Sequence, residues 1–87
     1  MFVVIVYDVN PKSDQKVLKI LRKYCYHIQK SVFDGELTPV QIKNLKNDLE
    51  KLHLNKDDSI IMYSTLSTQS IQKDNLHGIS KETVILG

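Results

Sequence analysis

A single carboxylate at the end of an apolar run is the first group in this chain that could do chemistry. Asp8 follows the apolar residues 2–6 and Tyr7, and it stands just before the turn signal Asn10-Pro11. A short apolar run bounded by turn residues predicts a buried central strand. Asp8 is then expected at the carboxyl end of that strand, where open sheets tend to place ligands. The plain alternative is an Asp that only stabilises the turn.

A row of lysines is the second feature with chemical meaning. Lys12, Lys16, Lys19 and Lys23 follow the steps i, i+4, i+7 and i+11, so on a helix they share one face. Such a row could follow a phosphate backbone, or it could simply be a solvated helix face. The net charge is only +2, but residues 1–30 hold six basic and two acidic side chains. This asymmetry weakly favours a polyanionic partner.

The remaining reactive side chains do not group into a site. The three histidines, His27, His53 and His77, do not fall at the spacing of zinc ligands. Cys25 is the only cysteine, so it cannot form an internal disulfide, and it is expected to be a small core residue. A reduced cytoplasmic location fits best. No apolar run is long enough to span a membrane, and the first one lacks the basic leader of a secretory signal.

The elements that must position these residues follow from hydrophobic periodicity. Eighty-seven residues predict one small domain. After the first strand, residues 12–25 predict an amphipathic helix that Asn10 or Ser13 could cap. Residues 27–33 alternate, which predicts a second strand. Asp34-Gly35 predicts a tight turn into a short returning strand.

The second half of the chain repeats the pattern. Thr38-Pro39-Val40-Gln41 has the capping-box pattern of a helix start, and the helix would bury Ile42, Leu45, Leu49 and Leu52. Residues 59–64 predict a fourth strand. The order β-α-β-β-α-β predicts an α+β, ferredoxin-like fold with both helices on one face of an antiparallel sheet. The other face, half apolar, would be uncovered in a monomer.

The chain is therefore expected to divide into a core and an arm. The ferredoxin-like core covers residues 1–64, and the C-terminal arm covers residues 65–87. In the arm, residues 65–81 are polar and predict an irregular segment, whereas residues 82–86 predict an extra C-terminal strand. A strand at the end of a long polar arm suits pairing with the sheet edge of a partner subunit.

Two segments of the chain together resemble a known family. They are the strand ending in Val6-Tyr7-Asp8-Val9 with its basic helix, and the run at residues 28–38. The run is similar to the pattern V-Q-x-S-V-F-E-G-E-L-T of the small CRISPR-associated adaptation protein, the ferredoxin-like partner of the spacer integrase. Here Ile28 stands for Val and Asp34 for Glu. The resemblance covers about residues 1–64.

The resemblance implies a homodimer in which the Asp8 residues of two subunits approach each other across a two-fold axis. One Mg²⁺ or other divalent cation per dimer, bridged by the two Asp8 carboxylates, would then support hydrolysis of RNA or double-stranded DNA. Tyr7, as the neighbour of Asp8, and Phe33, at the end of the motif strand, would support this site, unless Tyr7 only packs in the sheet. His27 at the start of that strand could donate a proton or contact a phosphate, or it could be a partly exposed structural residue. Lys12, Lys16 and Lys19 would contact the phosphate backbone, although many members have arginines in these regions. Lysine lacks the bidentate fork of arginine.

The resemblance supports two roles of different class. One is a metal-dependent endonuclease centred on Asp8. The other is a non-catalytic scaffold that binds double-stranded DNA between dimers of the integrase during spacer acquisition, with Asp8 idle or structural. An unrelated ferredoxin-like domain that binds a small ligand is a third reading, and the motif through residues 34–37 argues against it.

Overall fold

The fold is one antiparallel sheet with two helices, seen in a computed structural model that describes residues 1–67 and 70–78. Its elements in chain order are β1 (Phe2–Asp8), α1 (Pro11–Leu21), β2 (Tyr26–Gln29), β3 (Val32–Glu36), α2 (Pro39–Glu50), β4 (Ser59–Ser67) and β5 (Ser70–His77). The strand order β2-β3-β1-β4-β5 confirms the predicted ferredoxin-like arrangement with an additional strand. Among the described residues, neither helix has the length and apolar character needed to cross a membrane.

Strand β1 is the centre of the sheet, as its apolar run predicts. It pairs with β3 on one side and with β4 on the other. Alternate residues of β1 face the helices and are buried, and they form the core with apolar side chains of β3, β4, α1 and α2. The fully buried members of this core are Val3, Ile5, Val17, Leu21, Phe33, Leu45, Ile60 and Met62.

The opposite face of the sheet carries the other half of the β1 side chains. Val4 and Val6 are only partly buried, and Phe2 is exposed. Val4 lies beside Asp34 of β3, which in turn lies beside Tyr26 of β2, and Tyr26 is among the most exposed large side chains. The prediction that this half-apolar face is uncovered in one chain is confirmed.

Both helix starts confirm their predicted caps. Asn10 caps α1 by accepting a hydrogen bond from the Ser13 N–H, and a proline follows it. Thr38 and Gln41 form the full capping box of α2. Both helices end earlier than predicted, at Leu21 and Glu50.

The predicted hairpin between the second and third strands is wrong in its turn. The predicted strand at residues 27–33 is broken at Lys30 and Ser31, and Asp34-Gly35 lies inside β3. Lys30 turns the chain with a φ of 30°, a left-handed conformation that side chains other than glycine rarely adopt. Gly35 serves close packing instead of a turn, because a Cβ there would lie 3.4 Å from the Cα of Cys25.

The C-terminal part also differs from the prediction. Strand β4 extends to Ser67, and residues 70–77 form β5 beside it, so the predicted irregular segment is wrong there. Most of the described β5 side chains are polar, and Leu76 packs against the core, which explains the weak apolar signal of this edge strand. The predicted strand at residues 82–86 lies outside the described residues. The division into core and arm, and the packing of the arm on a partner, stay predictions.

Candidate functional site

Asp8 lies at the mouth of an open cleft at the carboxyl end of β1. The side chain is exposed, and its residue pairs with Ser59 of β4. Behind it, the Tyr7 N–H donates to the Ser31 carbonyl over 3.0 Å, which brings the Lys30 turn alongside β1. The cleft has a volume of about 350 Å³ and is lined by Tyr7, Asp8, Val9, Asp14, Lys30 and Ser31.

The donor groups around this cleft fit a hard cation. Asp8 and Asp14 provide carboxylates, Ser31 provides a hydroxyl, and Lys30 adds an amine that could contact a phosphate. Mg²⁺ prefers oxygen ligands, keeps several waters and needs only one or two carboxylates. Within residues 1–67 and 70–78, no three His, Cys, Asp or Glu side chains are grouped to hold a metal ion. The residues that line the cleft thus include the kinds of oxygen donor that Mg²⁺ prefers.

The three predicted supporting residues are brought together beside this cleft. The imidazole of His27 stacks on the ring of Phe33 at a centroid distance of 4.5 Å, and the centroid of the Tyr7 ring lies 6.2 Å from that of Phe33. His27 also donates a ring N–H to the Lys30 carbonyl. This hydrogen bond holds the left-handed turn that carries Lys30 to the cleft.

The surroundings of Tyr7 raise the pKa of its phenol. Burial raises the pKa of Tyr7, and the negative charge of Asp14 raises it further, against an opposing effect of Arg22. The Tyr7 side chain is part of the buried core behind the cleft.

The predicted lysine row lies on another part of the surface. Lys12, Lys16 and Lys19 are all exposed on α1. Lys16 and Lys19 line a shallow groove with Arg22, whereas none of the three lysines belongs to the described lining of the Asp8 cleft. The structure therefore separates a candidate backbone-binding groove from the candidate metal-binding cleft.

Sequence reasoning missed three residues of the cleft and one beside it. Asp14 carried a usable signal, since an acidic residue in the first turn of a helix that follows Asp8 lies near the strand end. Lys30 and Ser31 were missed because the turn was placed at Asp34-Gly35. Asp58 was missed because it stands among polar residues between α2 and β4, where burial is not expected, yet it is only 3% exposed.

Asp58 is held by a convergent set of hydrogen bonds. It accepts from the backbone N–H groups of Asn10 and Asn55 over 2.8 and 2.9 Å, and from the Asn10 amide over 3.0 and 3.2 Å. Burial alone raises the pKa of Asp58, but the hydrogen bonds from Asn55 and Asn10 and the charge of His77 outweigh it and lower the pKa below 3.8. Asp58 is therefore an ionised structural acceptor.

Cys25 and His77 have contacts typical of structural residues. Cys25 is buried, and burial together with the charge of Asp34 raises the pKa of its thiol to about 11, which confirms the expected core role. The His77 ring contacts the Asn55 carbonyl at 2.8 Å.

Comparisons with protein families agree with these observations. The family described as CRISPR associated protein Cas2 matches residues 1–73. The CRISPR-associated endoribonuclease Cas2 of Thermotoga maritima is 40% identical over 81 residues, which cover 93% of this chain and 92% of the relative. The protein of the same name from Methanosarcina acetivorans is 45% identical over 65 residues, which cover 75% of each. The resemblance inferred from the motif is thereby confirmed.

Solved structures agree with the fold as well. A crystal structure described as that of Cas2 matches with a TM-score of 0.69 at 32% identity, covering 100% of this chain and 86% of the other. Streptococcus pyogenes Cas2, solved at pH 6.5, matches with a TM-score of 0.67 at 32% identity, covering 75% of this chain and 86% of the other. The chain belongs to the CRISPR-associated protein Cas2 family.

Proposed function

We propose that this protein is a metal-dependent endonuclease of CRISPR adaptation that hydrolyses phosphodiester bonds of RNA or double-stranded DNA. The observation that carries the proposal is the exposed Asp8 carboxylate, at the end of the central strand, in a cleft whose other polar groups are Asp14, Lys30 and Ser31. Relatives that are 40% or more identical are named CRISPR-associated endoribonuclease Cas2.

The carboxylate pair would come from two subunits. A two-fold axis places one residue beside its own copy, so a homodimer supplies the second Asp8 without a second acidic motif in the chain. The uncovered apolar face around Val4 and Val6 gives a reason for such pairing. Two Asp8 oxygens would hold one divalent cation, with Asp14 and Ser31 within the same cleft.

The residues of the cleft divide the work of hydrolysis. A bound divalent cation would polarise the phosphate and lower the pKa of an attacking water. Asp8 holds that cation, and the Lys30 ammonium, carried in by the turn that His27 and Phe33 support, pairs with a phosphate oxygen. Tyr7, kept neutral by burial, closes the wall of the cleft.

The lysine row would bind the rest of the substrate. Lys12, Lys16 and Lys19 are exposed on α1 and lie outside the cleft, so they could contact phosphates away from the bond that is cleaved. This separation also favours a second candidate function, a scaffold that binds double-stranded DNA for the integrase. In that role the lysine groove would act without the cleft.

The direct test is cleavage by an Asp8→Asn protein. We expect cleavage of single-stranded RNA or duplex DNA in Mg²⁺ to fall to the level seen with EDTA, because the substitution removes the metal-binding charge and keeps the shape. Asp57→Asn is the matched control, since it removes the same charge from an exposed residue. Cleavage by Asp8→Asn at the wild-type rate would rule out the catalytic role, and retained duplex binding would then favour the scaffold.

The lysine row is tested by the salt dependence of binding. Replacing Lys12, Lys16 and Lys19 by Gln should reduce the slope of log K against log salt by up to about 2.7 on duplex DNA, since each phosphate contact contributes about 0.9. Gln at Lys43, Lys51 and Lys56, which are exposed elsewhere, makes the same change of charge. Equal slopes in the two triple variants would show that the row only contacts solvent.

A further inference from the structure

We propose that Asp58 is a positioning residue for the Asp8 cleft, because it fixes the turn between β1 and α1 that directly follows Asp8. The inference rests on the proposed function of Asp8 as a metal ligand. Asp58 does not line the cleft itself. Its action is through the backbone and side chain of Asn10, two residues after Asp8.

The first step is the closed ring that Asp58 completes. Asn10 follows Asp8 by two residues, and its N–H donates to the Asp58 carboxylate over 2.8 Å. Asp58 is followed by Ser59, and Ser59 pairs with Asp8 between β4 and β1. The path from Asp8 through Asn10, Asp58 and Ser59 therefore returns to Asp8. A ring of this size leaves the strand end little freedom to change direction.

The second step is that the Asn10 side chain binds both α1 and Asp58. Its carbonyl oxygen accepts from the Ser13 N–H over 3.1 Å, which caps α1. Its amide nitrogen donates to both oxygens of Asp58, over 3.0 and 3.2 Å. The same side chain thus sets the start of α1 against Asp58. Asp14, in the first turn of α1, lines the cleft, so its place also depends on this contact.

The third step is the packing of the chain around Asp58. The backbone of Gly78, at the end of β5, lies so close that a Cβ there would come within 1.9 Å of the Asp58 carbonyl oxygen. The Asn55 N–H donates to the other carboxylate oxygen over 2.9 Å. Asp58 is thus fixed from three sides by α1, by the loop before β4 and by β5.

The chemistry of these contacts requires a carboxylate. The N–H groups of Asn10 and Asn55 and the Asn10 amide nitrogen are all donors, and they converge on the two oxygens of Asp58. An asparagine at position 58 would keep the shape but would turn an NH₂ group toward at least one of these donors. Asp58→Asn should therefore loosen the turn without opening a cavity.

The experiment measures Mn²⁺ affinity by calorimetry in the full-length protein, alongside RNA cleavage. Asp58→Asn should weaken Mn²⁺ binding by about tenfold, at the low end of the effect of losing a direct partner of a metal ligand, because Asp58 acts through Asn10. Asn10→Ser is the second variant, because serine keeps the helix cap and removes the amide that contacts Asp58. It should weaken Mn²⁺ binding in the same direction by a smaller factor. Asp57→Asn, with the same change of charge, should bind as the wild type does.

The comparison with Asp8→Asn separates the two proposals. Circular dichroism first confirms that each variant is folded at the temperature used. If Asp8→Asn abolishes Mn²⁺ binding while Asp58→Asn and Asn10→Ser bind as tightly as the wild type, Asp58 has no positioning role and the proposed function stands. If Asp8→Asn binds Mn²⁺ normally, both proposals are overturned. Faster amide hydrogen exchange at residues 8–14 in Asp58→Asn, together with weaker Mn²⁺ binding, is the result we expect.

Discussion

The two helices begin with the same local pattern, a polar cap followed by proline, but they are held in different ways. At the start of α2, Thr38 and Gln41 exchange hydrogen bonds of 2.9 and 3.2 Å over three residues. At the start of α1, Asn10 accepts from the nearby Ser13, but its amide and backbone N–H groups bind Asp58, 48 residues away. One cap is local, and the other ties the helix to the sheet.

The difference teaches what each helix start has to do. A local cap satisfies the free N–H groups of a helix and stabilises it wherever it packs. A cap bound to a distant strand also fixes where the helix begins relative to the sheet. The start of α1 follows Asp8 directly and carries Asp14, so its position determines the shape of the candidate site. The start of α2 has no such neighbour among the residues that line the cleft.

The largest effect on stability should come from breaking the distant cap. Asp58→Ala leaves the donors of Asn10 and Asn55 without their acceptor in a nearly buried position. Hydrogen bonds to a charged group contribute more than neutral ones, so we expect a loss of about 3 kcal/mol in the free energy of unfolding. Urea denaturation measures it. A loss below that of Thr38→Ala would contradict the comparison.

A smaller loss is expected from disturbing the same junction at β5. Gly78 has a φ of 79°, and an added methyl group would meet the Asp58 carbonyl. Gly78→Ala should cost about 2 kcal/mol, since left-handed strain and the contact both oppose it. Gly35→Ala is the control at an ordinary φ, where the nearest atom lies at 3.4 Å. Equal losses of stability for Gly78→Ala and Gly35→Ala in thermal denaturation would show that Gly78 is not packed more tightly than Gly35.

Removing the local cap of α2 should cost less stability and should leave the Asp8 cleft unchanged. Thr38→Ala removes one side of the capping box and should cost about 1 kcal/mol. Mn²⁺ affinity and RNA cleavage should be unchanged, because α2 does not line the Asp8 cleft. A clear loss of Mn²⁺ affinity in Thr38→Ala would remove the distinction between the two helix starts.

The smallest effect is a dependence on pH. The pKa of Asp58 is lowered in the folded state, so its stabilisation is present above its ordinary pKa of 3.8 and is lost as the pH falls through the lower value. The difference in unfolding free energy between the wild type and Asp58→Asn should therefore stay constant above about pH 5 and shrink as the pH falls below about 4. Urea titrations of both proteins at each pH measure it. A constant difference would mean that the charge of Asp58 contributes nothing.

The sequence predicted the features that depend on neighbouring residues. The apolar run before Asp8 placed the central strand, and the pattern from Thr38 to Gln41 placed the start of α2. The hairpin was misplaced because Asp34-Gly35 is a strong turn signal, whereas the observed turn needs Lys30 in a left-handed conformation held by His27. Local patterns do not show such a contact.

In the candidate site, too, the residues set by local sequence could be predicted, and those set by distant contacts could not. Asp8 could be predicted because its strand and motif are contiguous, and the structure places Tyr7, His27 and Phe33 close to one another beside it. Lys30 was not predicted as a cleft residue because the turn was placed at Asp34-Gly35. Asp58 could not be assigned, since its partner Asn10 lies 48 residues earlier and both are ordinary turn residues in sequence. A polar edge strand such as β5 also lacks a pattern, because it buries little.

The central claim is that the Asp8 residues of two subunits share one metal ion, and subunit mixing tests it most directly. Wild-type and Asp8→Asn subunits are exchanged in different ratios, and Mg²⁺-dependent cleavage is measured at constant total protein. If both Asp8 carboxylates are required, activity follows the square of the wild-type fraction, so an equal mixture keeps about one quarter. A linear decline, with about half of the activity in an equal mixture, would contradict a shared site.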